Sequence, residues 1–328
     1  MKRSLQTLNP NKATGLDGIG PNILKLCGDS IVAPITFIIN KCISEGVFPC
    51  TFKTASVIPL HKSGPKSDPN NYRPISILPT LSKIFERHIA TQLMTFLTEH
   101  SLLINNQSGF RKSHSCCTAL INLIEKWLKD VDEGKYVGAV FLDFKKAFDM
   151  VNHDVLFYKL ELHHFSSSSL QLMKSYIYNR YQLVKIGDVQ SDLQIIKSGV
   201  PQGSILGPML FLLYINDIAS FVDNTSIIDL YADDSTVHES GYDVKMIESH
   251  LQSSIEKIAF WCKINKMSIN PLKLKCMILG SNHRLQHSPD LTLRVENHLI
   301  GNVSSQTVMG VKIDNNLKSP EHGAFSLL

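Results

Sequence analysis

YVGAVFLD (residues 136–143) and LYADDSTV (residues 230–237) decide the reading of this chain. The first is a β-rich run, Tyr136 to Leu142, that ends on Asp143. A carboxylate there is expensive to leave unpaired at the end of an apolar strand. In the second, Ile227–Tyr231 and Ser235–His238 read as strands bracketing Ala232, Asp233 and Asp234, a hairpin with an acidic tip. Neighbouring side chains on an extended chain point to opposite faces, but a tight turn lets them converge on one ion. Two ionised carboxylates that close repel unless a cation lies between them. Their oxygens suit Mg2+, which keeps few protein ligands because phosphates supply the rest. An Asp-Asp pair alone equally suits a solvated turn, where Asp is common. Asp143 adds the second half of a site. A strand-end carboxylate beside a hairpin-tip carboxylate offers ligands for two metals about 3.5–4 Å apart.

Working outward, the spacing predicts a helix over residues 20–46, with Ile23, Leu24, Leu26, Ile31, Ile35, Ile38 and Ile39 as its apolar positions. Lys62 to Pro74, rich in Lys, Ser, Gly, Pro and Asn, reads as an exposed, mobile loop. Helices are expected over 75–100 and 118–132, turn and helix over 144–151 and 155–162, and paired strands at 182–186 and 193–197. A Gly/Pro-rich turn, Ser198 to Ser204, precedes a long apolar helix, 205–222. An amphipathic helix over 244–265 and short strands near Met277 and Val308 complete the pattern. The class is α+β, a sheet backed by helices on one face.

The chain has 328 residues, 43% of them hydrophobic, enough for one large domain or two to three subdomains. A net charge of +4 does not by itself mark a nucleic-acid binder. Its distribution is more telling: Thr51–Lys112 holds eight Lys/Arg against three Asp/Glu, and Ser113–Tyr242 holds ten against sixteen. That fits a phosphate-gripping surface beside a cation-holding pocket, though ordinary scatter produces similar differences. Seven cysteines without a C-x-x-C pair suit reduced thiols, hence an intracellular protein of nucleus or cytoplasm. MKRSLQTLNPNK has no apolar signal core. Ile205–Ala219 is apolar, but it is short and contains Gly207, Pro208, Asn216 and Asp217, so a buried helix is expected and no membrane span. The thirteen histidines show no metal-site spacing.

Three blocks in order, FLDFKKAFDMVNHDVL (141–156), SGVPQGSILGPMLFLLYINDI (198–218) and LYADDSTV, resemble the central palm motifs of reverse transcriptases of non-LTR (LINE-like) retrotransposons. NKATGLDGI (11–19), NYRPISILPTLSKIFERHI (71–89), QSGFRKSHSC (107–116), SINPLKLKCMILG (268–280) and VMGVKID (308–314) agree, so the resemblance covers roughly residues 8 to 318. It implies a polymerase right-hand fold: fingers with an N-terminal extension over 1–135, a palm over 136–280 with a mostly antiparallel sheet, and 281–328 as primer-supporting hairpin and truncated start of a thumb. It implies an RNA-directed DNA polymerase using two Mg2+ ions, with Mn2+ as a substitute, and partners that are an RNA template, a DNA primer and dNTPs. Oligomeric state is not implied.

By the same resemblance Asp143 and Asp233 would ligate both metals, Asp234 would complete the acidic cluster, and the Phe144 carbonyl would add a ligand. Phe148 would lie under the incoming sugar and exclude a 2′-OH, while Asp149 is structural, a cap for the following helix. Gln202 and Gly203 match the nucleotide-pocket loop, where Gly199 and Gly203 permit close backbone approach. Arg73 matches a triphosphate-gripping arginine, helped by Lys62. Lys273 matches a general acid for the leaving pyrophosphate. Gly109, Phe110 and Arg111 would line the template path and Gly310 the primer-supporting hairpin. Met150, Cys116, Cys117 and Leu274 stand where small hydroxyl residues are expected, and the tail KSPEHGAFSLL does not read as a continued domain. A non-catalytic nucleic-acid-binding remnant is therefore the alternative, and a group II intron-type maturase a third.

Overall fold

A computed structural model describes residues 1–317; the tail 318–328, and with it the expectation for KSPEHGAFSLL, lies outside the described residues. The helices are α1 (Lys2–Gln6), α2 (Pro21–Cys27), α3 (Val32–Glu45), α4 (Thr80–Glu99), α5 (Cys116–Asp132) and α6 (Ala147–Met150). They continue with α7 (His153–Leu162), α8 (Ser167–Ile177), α9 (Leu206–Ile215), α10 (Val244–Ile264) and α11 (Asn282–Leu285). The strands are β1 (Thr54–His61), β2 (Tyr72–Ile77), β3 (Tyr136–Leu142), β4 (Arg180–Ile186), β5 (Val189–Gln190), β6 (Gln194–Ile196) and β7 (Ile227–Tyr231). After them come β8 (Asp234–Gly241), β9 (Lys275–Leu279), β10 (Arg294–Val295), β11 (His298–Leu299), β12 (Gly301–Asn302), β13 (Ser305–Val308) and β14 (Val311–Asp314).

Two compact units share these elements, and they interleave along the chain. The first takes Met1–Leu102 and Val151–Tyr214; the second takes Leu103–Met150 and the chain from Ile215 on. In the first unit β2, β1, β4 and β5 form a sheet in that order, with β6 also on β4. The β1–β2 pair is antiparallel, opposing Leu60 to Arg73 and Ser56 to Ile77, whereas β1 and β4 run parallel. Ile75–Ile77 is thus strand rather than the start of a helix, and α4 begins only after Pro79. The Lys62–Pro74 stretch is correspondingly shorter as a loop: a 3-10 turn, Pro69–Asn71, capped by the Asp68 side chain, leads into β2. The single helix expected over 20–46 is broken at Gly28, whose φ of +57° leads into a 3-10 turn, Gly28–Ile31. Pro21–Glu45 is nonetheless long and apolar enough by length and composition to cross a membrane (mean hydropathy 1.5, 11% buried), a test that soluble core helices and signal sequences also pass. α9 is apolar all round and buried, with Leu210, Phe211 and Tyr214 fully enclosed, as its composition predicts.

In the second unit the sheet order is β12-β9-β3-β8-β7. β3 is antiparallel to both β8 and β9, and only the short β12 runs parallel to its neighbour. Helices cover both faces of β3 rather than one, because its apolar run does not alternate. Val137, Ala139 and Phe141 pack with Leu120, Leu123 and Trp127 of α5 and with Val308 and Ile313 of the β13–β14 hairpin. On the other face Gly138 lies so close to α10 that a Cβ there would sit 2.5 Å from Ile247 Cγ2. α5 starts on a reciprocal cap: Ser115 Oγ accepts from Thr118 N, and Thr118 Oγ1 accepts from Ser115 N.

In this unit His250 Nδ1 of α10 lies 2.5 Å from Glu239 Oε1 of β8 and 3.1 Å from the Thr225 hydroxyl. The hydrogen bond to Glu239, with further help from Asp223, raises the imidazole above its ordinary 6.5. A raised folded-state value stabilises fully below the unfolded value, and the contribution fades as pH climbs through the higher one. The melting-temperature gap between wild type and His250→Gln should therefore be wide near pH 5.5 and narrow near pH 8.5. A gap independent of pH would exclude this linkage.

Candidate active site

Register fixes where the acidic residues stand. The β3–β8 ladder ends on the pair Leu142↔Ser235. Asp143 is one residue past that pair and Asp234 one residue before it, at the same end of two neighbouring strands. The β7–β8 ladder closes on Tyr231↔Asp234, leaving Ala232 and Asp233 as a two-residue turn. Asp233 and Asp234 are exposed and Asp143 is half-buried. Ala232 is buried, with φ at +58°, a left-handed conformation that costs a non-glycine residue about 1–2 kcal/mol.

What holds that turn is a residue whose part the sequence reading missed. Gln107 is 1% exposed, and its Oε1 accepts from Ala232 N (3.1 Å) and Gly109 N (2.7 Å). Ser108 N donates to Leu230 O and Leu230 N to Asn106 O, so the segment 106–109 runs along β7 as an added edge. Gly109 fits because it has no side chain: a Cβ would sit 2.3 Å from Ala232 N. The QSGF block was the available signal, but it singles out Gly109 and not the amide two residues earlier.

Beyond Asp143 the chain pairs with the segment 268–270. Lys145 N donates to Ser268 O, Phe144 bridges Ile269, and Asn270 N donates to Asp143 O at 2.8 Å. That pairing brings Lys273 Nζ to 3.9 Å from Asp143 Oδ2. Lys273 is exposed and the half-buried Asp143 side chain still reaches solvent, so this long ion pair is worth little to stability. Phe148 stands edge-on to Phe110, with centroids 6.2 Å apart and planes at 89°. Arg111 Nη1 donates to Ile104 O and Gln107 O, bracing the loop that carries Phe110. Gly310 (φ +87°) and Met309 (φ +49°) form the two-residue turn between β13 and β14. Met309 lines a cleft of about 400 Å³ together with Asn106, Ser108, Lys126, Asp229 and Leu230. There Asp229 accepts from Lys126 (3.0 Å) and His238 (2.8 Å). Burial works to raise its carboxyl, but these partners outweigh burial and hold it below the usual range. This trio went unread because Asp229 and His238 flank the LYADDSTV block without belonging to it, and Lys126 lies about a hundred residues away. Asp149 does not cap the next helix: Asn152 does, its side chain accepting from Val155 N.

The remaining expected residues belong to the first unit. Arg73 is exposed on β2 opposite Leu60. Lys62 lies just past the end of β1, where its backbone N donates to Asn71 O at 2.8 Å. Gln202 O accepts from Ser76 N (2.7 Å), and Gly203 has φ +119°. The structure therefore groups Asp143, Phe144, Phe148, Asp233, Asp234, Lys273, Gly109, Phe110, Arg111 and Gly310 in one unit, and Lys62, Arg73, Gln202 and Gly203 in the other.

Among the described residues no three His, Cys, Asp or Glu side chains already converge as a ligand cluster. The chemistry of the donors nevertheless suits a hard cation: carboxylates at one strand end, exposed or half-exposed, with the Lys273 amine 3.9 Å from Asp143. Carboxylates repel without a cation, and Mg2+ needs only one or two of them once phosphates are present.

Comparison with known proteins bears on the family and the fold. The family described as "Reverse transcriptase (RNA-dependent DNA polymerase)" matches residues 62–313. A probable RNA-directed DNA polymerase from transposon BS of Drosophila melanogaster is 30% identical over 97% of this chain and 36% of its own length. The RNA-directed DNA polymerase from mobile element jockey of the same fly is 29% identical over 98% of this chain and 35% of its own. The chain thus spans about a third of the length of these relatives. In fold it is similar to an apo telomerase from Candida tropicalis truncated from its C-terminal domain, with a TM-score of 0.56 and 13% identity over 87% of this chain and 59% of that one. A family match across most of the chain, a Drosophila retrotransposon likeness over nearly all of it, and an acidic hairpin abutting a strand-end aspartate place this protein in the reverse transcriptase family, in its LINE-like branch.

Proposed function

We propose that the chain adds deoxynucleotides to a primer 3′-OH on an RNA template, with Asp143, Asp233 and Asp234 as its catalytic carboxylates. The observation that carries this is the shared strand end: Asp143 just past the pair Leu142↔Ser235 and Asp234 just before it. Asp143 and Asp233, with the Phe144 carbonyl, would hold two Mg2+ ions, or Mn2+ in their place. Such ions, when bound, help deprotonate the attacking hydroxyl and stabilise the departing pyrophosphate. Lys273, 3.9 Å from Asp143, would give that pyrophosphate a proton. Lys62, just past the end of β1, and Arg73 on β2 would grip the triphosphate, with Gln202 and Gly203 framing the base and sugar. Phe110 offers an exposed ring to a single-stranded template, with Gly109 and Arg111 shaping its loop and Gly310 supporting the primer end. In functional terms residues 1–135 serve as fingers, 136–280 as palm, and the chain from 281 as primer support leading into a thumb. Such work sets the protein inside the cell, with RNA, a DNA primer and dNTPs as partners.

The test is primer extension with dNTPs and Mg2+ on an RNA template, wild type beside Asp233→Asn. Extension by wild type alone supports the reading; equal products from both overturn it. Salt-sensitive RNA binding without any incorporation would instead mark a binding remnant.

Phe148 tests the sugar choice separately. The ring is wedged against Phe110, so Phe148→Ala opens space where a 2′-OH would fall. The ratio of ribo- to deoxynucleotide incorporation should rise at least about tenfold, a difference of about 1.4 kcal/mol in discrimination. An unchanged ratio would assign Phe148 to packing alone.

A further inference from the structure

The loop that carries Gln202 and Gly203 is clamped from two sides by one continuous stretch of chain. On β2, Ser76 N donates to Gln202 O at 2.7 Å. The Ser76 carbonyl is so close to Gly203 that a Cβ there would sit 2.5 Å from it. Only Leu78 and Pro79 separate β2 from α4, and α4 carries Glu86, which is fully buried. Glu86 Oε2 accepts from Ile205 N (2.7 Å) and Leu206 N (3.2 Å), at the opening of α9. Ser82 Oγ donates to Oε1 at 3.0 Å, and the Tyr176 hydroxyl donates to Oε2 at 3.3 Å. Burial pushes the Tyr176 hydroxyl far above its ordinary value, which keeps it a donor. Between the two clamps, Ser204 Oγ donates to Pro201 O and accepts from Gly207 N, both at 2.9 Å.

A buried carboxylate is costly unless its oxygens are saturated with donors. Glu86 has four, two of them backbone amides at a helix start, where unpaired N–H groups and the helix dipole favour negative charge. Charge-assisted bonds of this kind are short and directional. They fix where α9 begins, and so where the preceding loop must end. We propose that Glu86 is a positioning residue for the incoming deoxynucleoside triphosphate: it sets the first turn of α9 and, with Ser76, locks Gln202 and Gly203 to the strand that bears Arg73. The inference deepens the polymerase reading and rests on it for the identity of the ligand.

Glu86→Gln keeps the shape and removes the charge. Two measurements on the full chain decide the matter. The first is amide hydrogen exchange without substrate, where exchange over 202–207 should quicken at least about tenfold while α10 stays unchanged. The second is steady-state extension, where KM for dNTP should rise about tenfold with kcat within about twofold and primer–template affinity intact. Unaltered exchange at 202–207 overturns the proposal whether or not the chain polymerises. Quickened exchange with an unaltered KM overturns the nucleotide-positioning role. A wild type that extends no primer sinks the polymerase reading, and the exchange data alone then decide whether Glu86 sets the loop. Should Glu86→Gln fail to fold, Glu86→Asp, which keeps the charge but withdraws it by one methylene, is read in the same way.

Discussion

Asp143→Asn should reduce single-turnover nucleotide incorporation by about a thousandfold or more while leaving the melting temperature essentially unchanged. Replacing an oxygen with an amide nitrogen preserves volume and removes the anionic donor. Metal-assisted stabilisation of a phosphoryl transition state is worth several kcal/mol, and each 1.36 kcal/mol is tenfold in rate, so a loss of about 4 kcal/mol gives this factor. Stability should hold because the side chain's ion pair, to Lys273, is long at 3.9 Å and open to solvent. Asp143's structural contact is made by its backbone, whose carbonyl accepts from Asn270 N and is untouched by the change. A variant that retains more than a tenth of wild-type rate would remove Asp143 from the catalytic set. One that unfolds would show the residue to be a scaffold member instead.

Gly109→Ala should be nearly as damaging, by a different route. The added methyl would meet Ala232 N at 2.3 Å and Ala232 Cα at 2.9 Å, atoms of the turn that presents Asp233. Backbone cannot swing aside as a side chain can, so either the 106–109 segment lifts off β7 or the hairpin tip shifts. Overpacking of this sort costs about 1–3 kcal/mol in stability. A shift of about 1 Å in catalytic geometry costs about a hundredfold in rate. The measurements are urea unfolding and primer extension on the same preparation. A variant with wild-type rate and stability would mean that the segment yields freely and does not brace the tip.

The chain announced its hairpin and its central strand because both rest on short-range signals: alternation closing on Tyr231 and Asp234, and an unbroken apolar run from Tyr136 to Leu142. It hid what depends on partners far off in sequence. Ile75–Ile77 carries the apolar spacing of a helix, yet pairing with Ser56–Ile58 makes it a strand, and the Pro79 position sets where α4 can begin. Gly28 could be read only as one more small residue in an apolar stretch until its positive φ ended α2. Within the site, every residue drawn from a motif was visible, whereas Gln107, Glu86 and Asp229 were not. Gln107 and Glu86 stand inside quoted blocks and Asp229 beside one, but each acts by bonding to backbone or to a distant side chain, and a block does not reveal such partners. Division into contiguous stretches was legible by motif; interleaved units were not, since which half of the chain rejoins which is a property of strand pairing.

That pairing bears on how the protein is made. Thr54–Val57 of β1 finds its parallel partner, Tyr181–Val184, only after well over a hundred further residues have been added. At ribosomal speeds of about 5–20 residues per second, an open strand edge with exposed amides waits about 6–25 s for its mate. Nascent chains should consequently be most prone to clump, and most dependent on chaperones, while the ribosome is translating that gap.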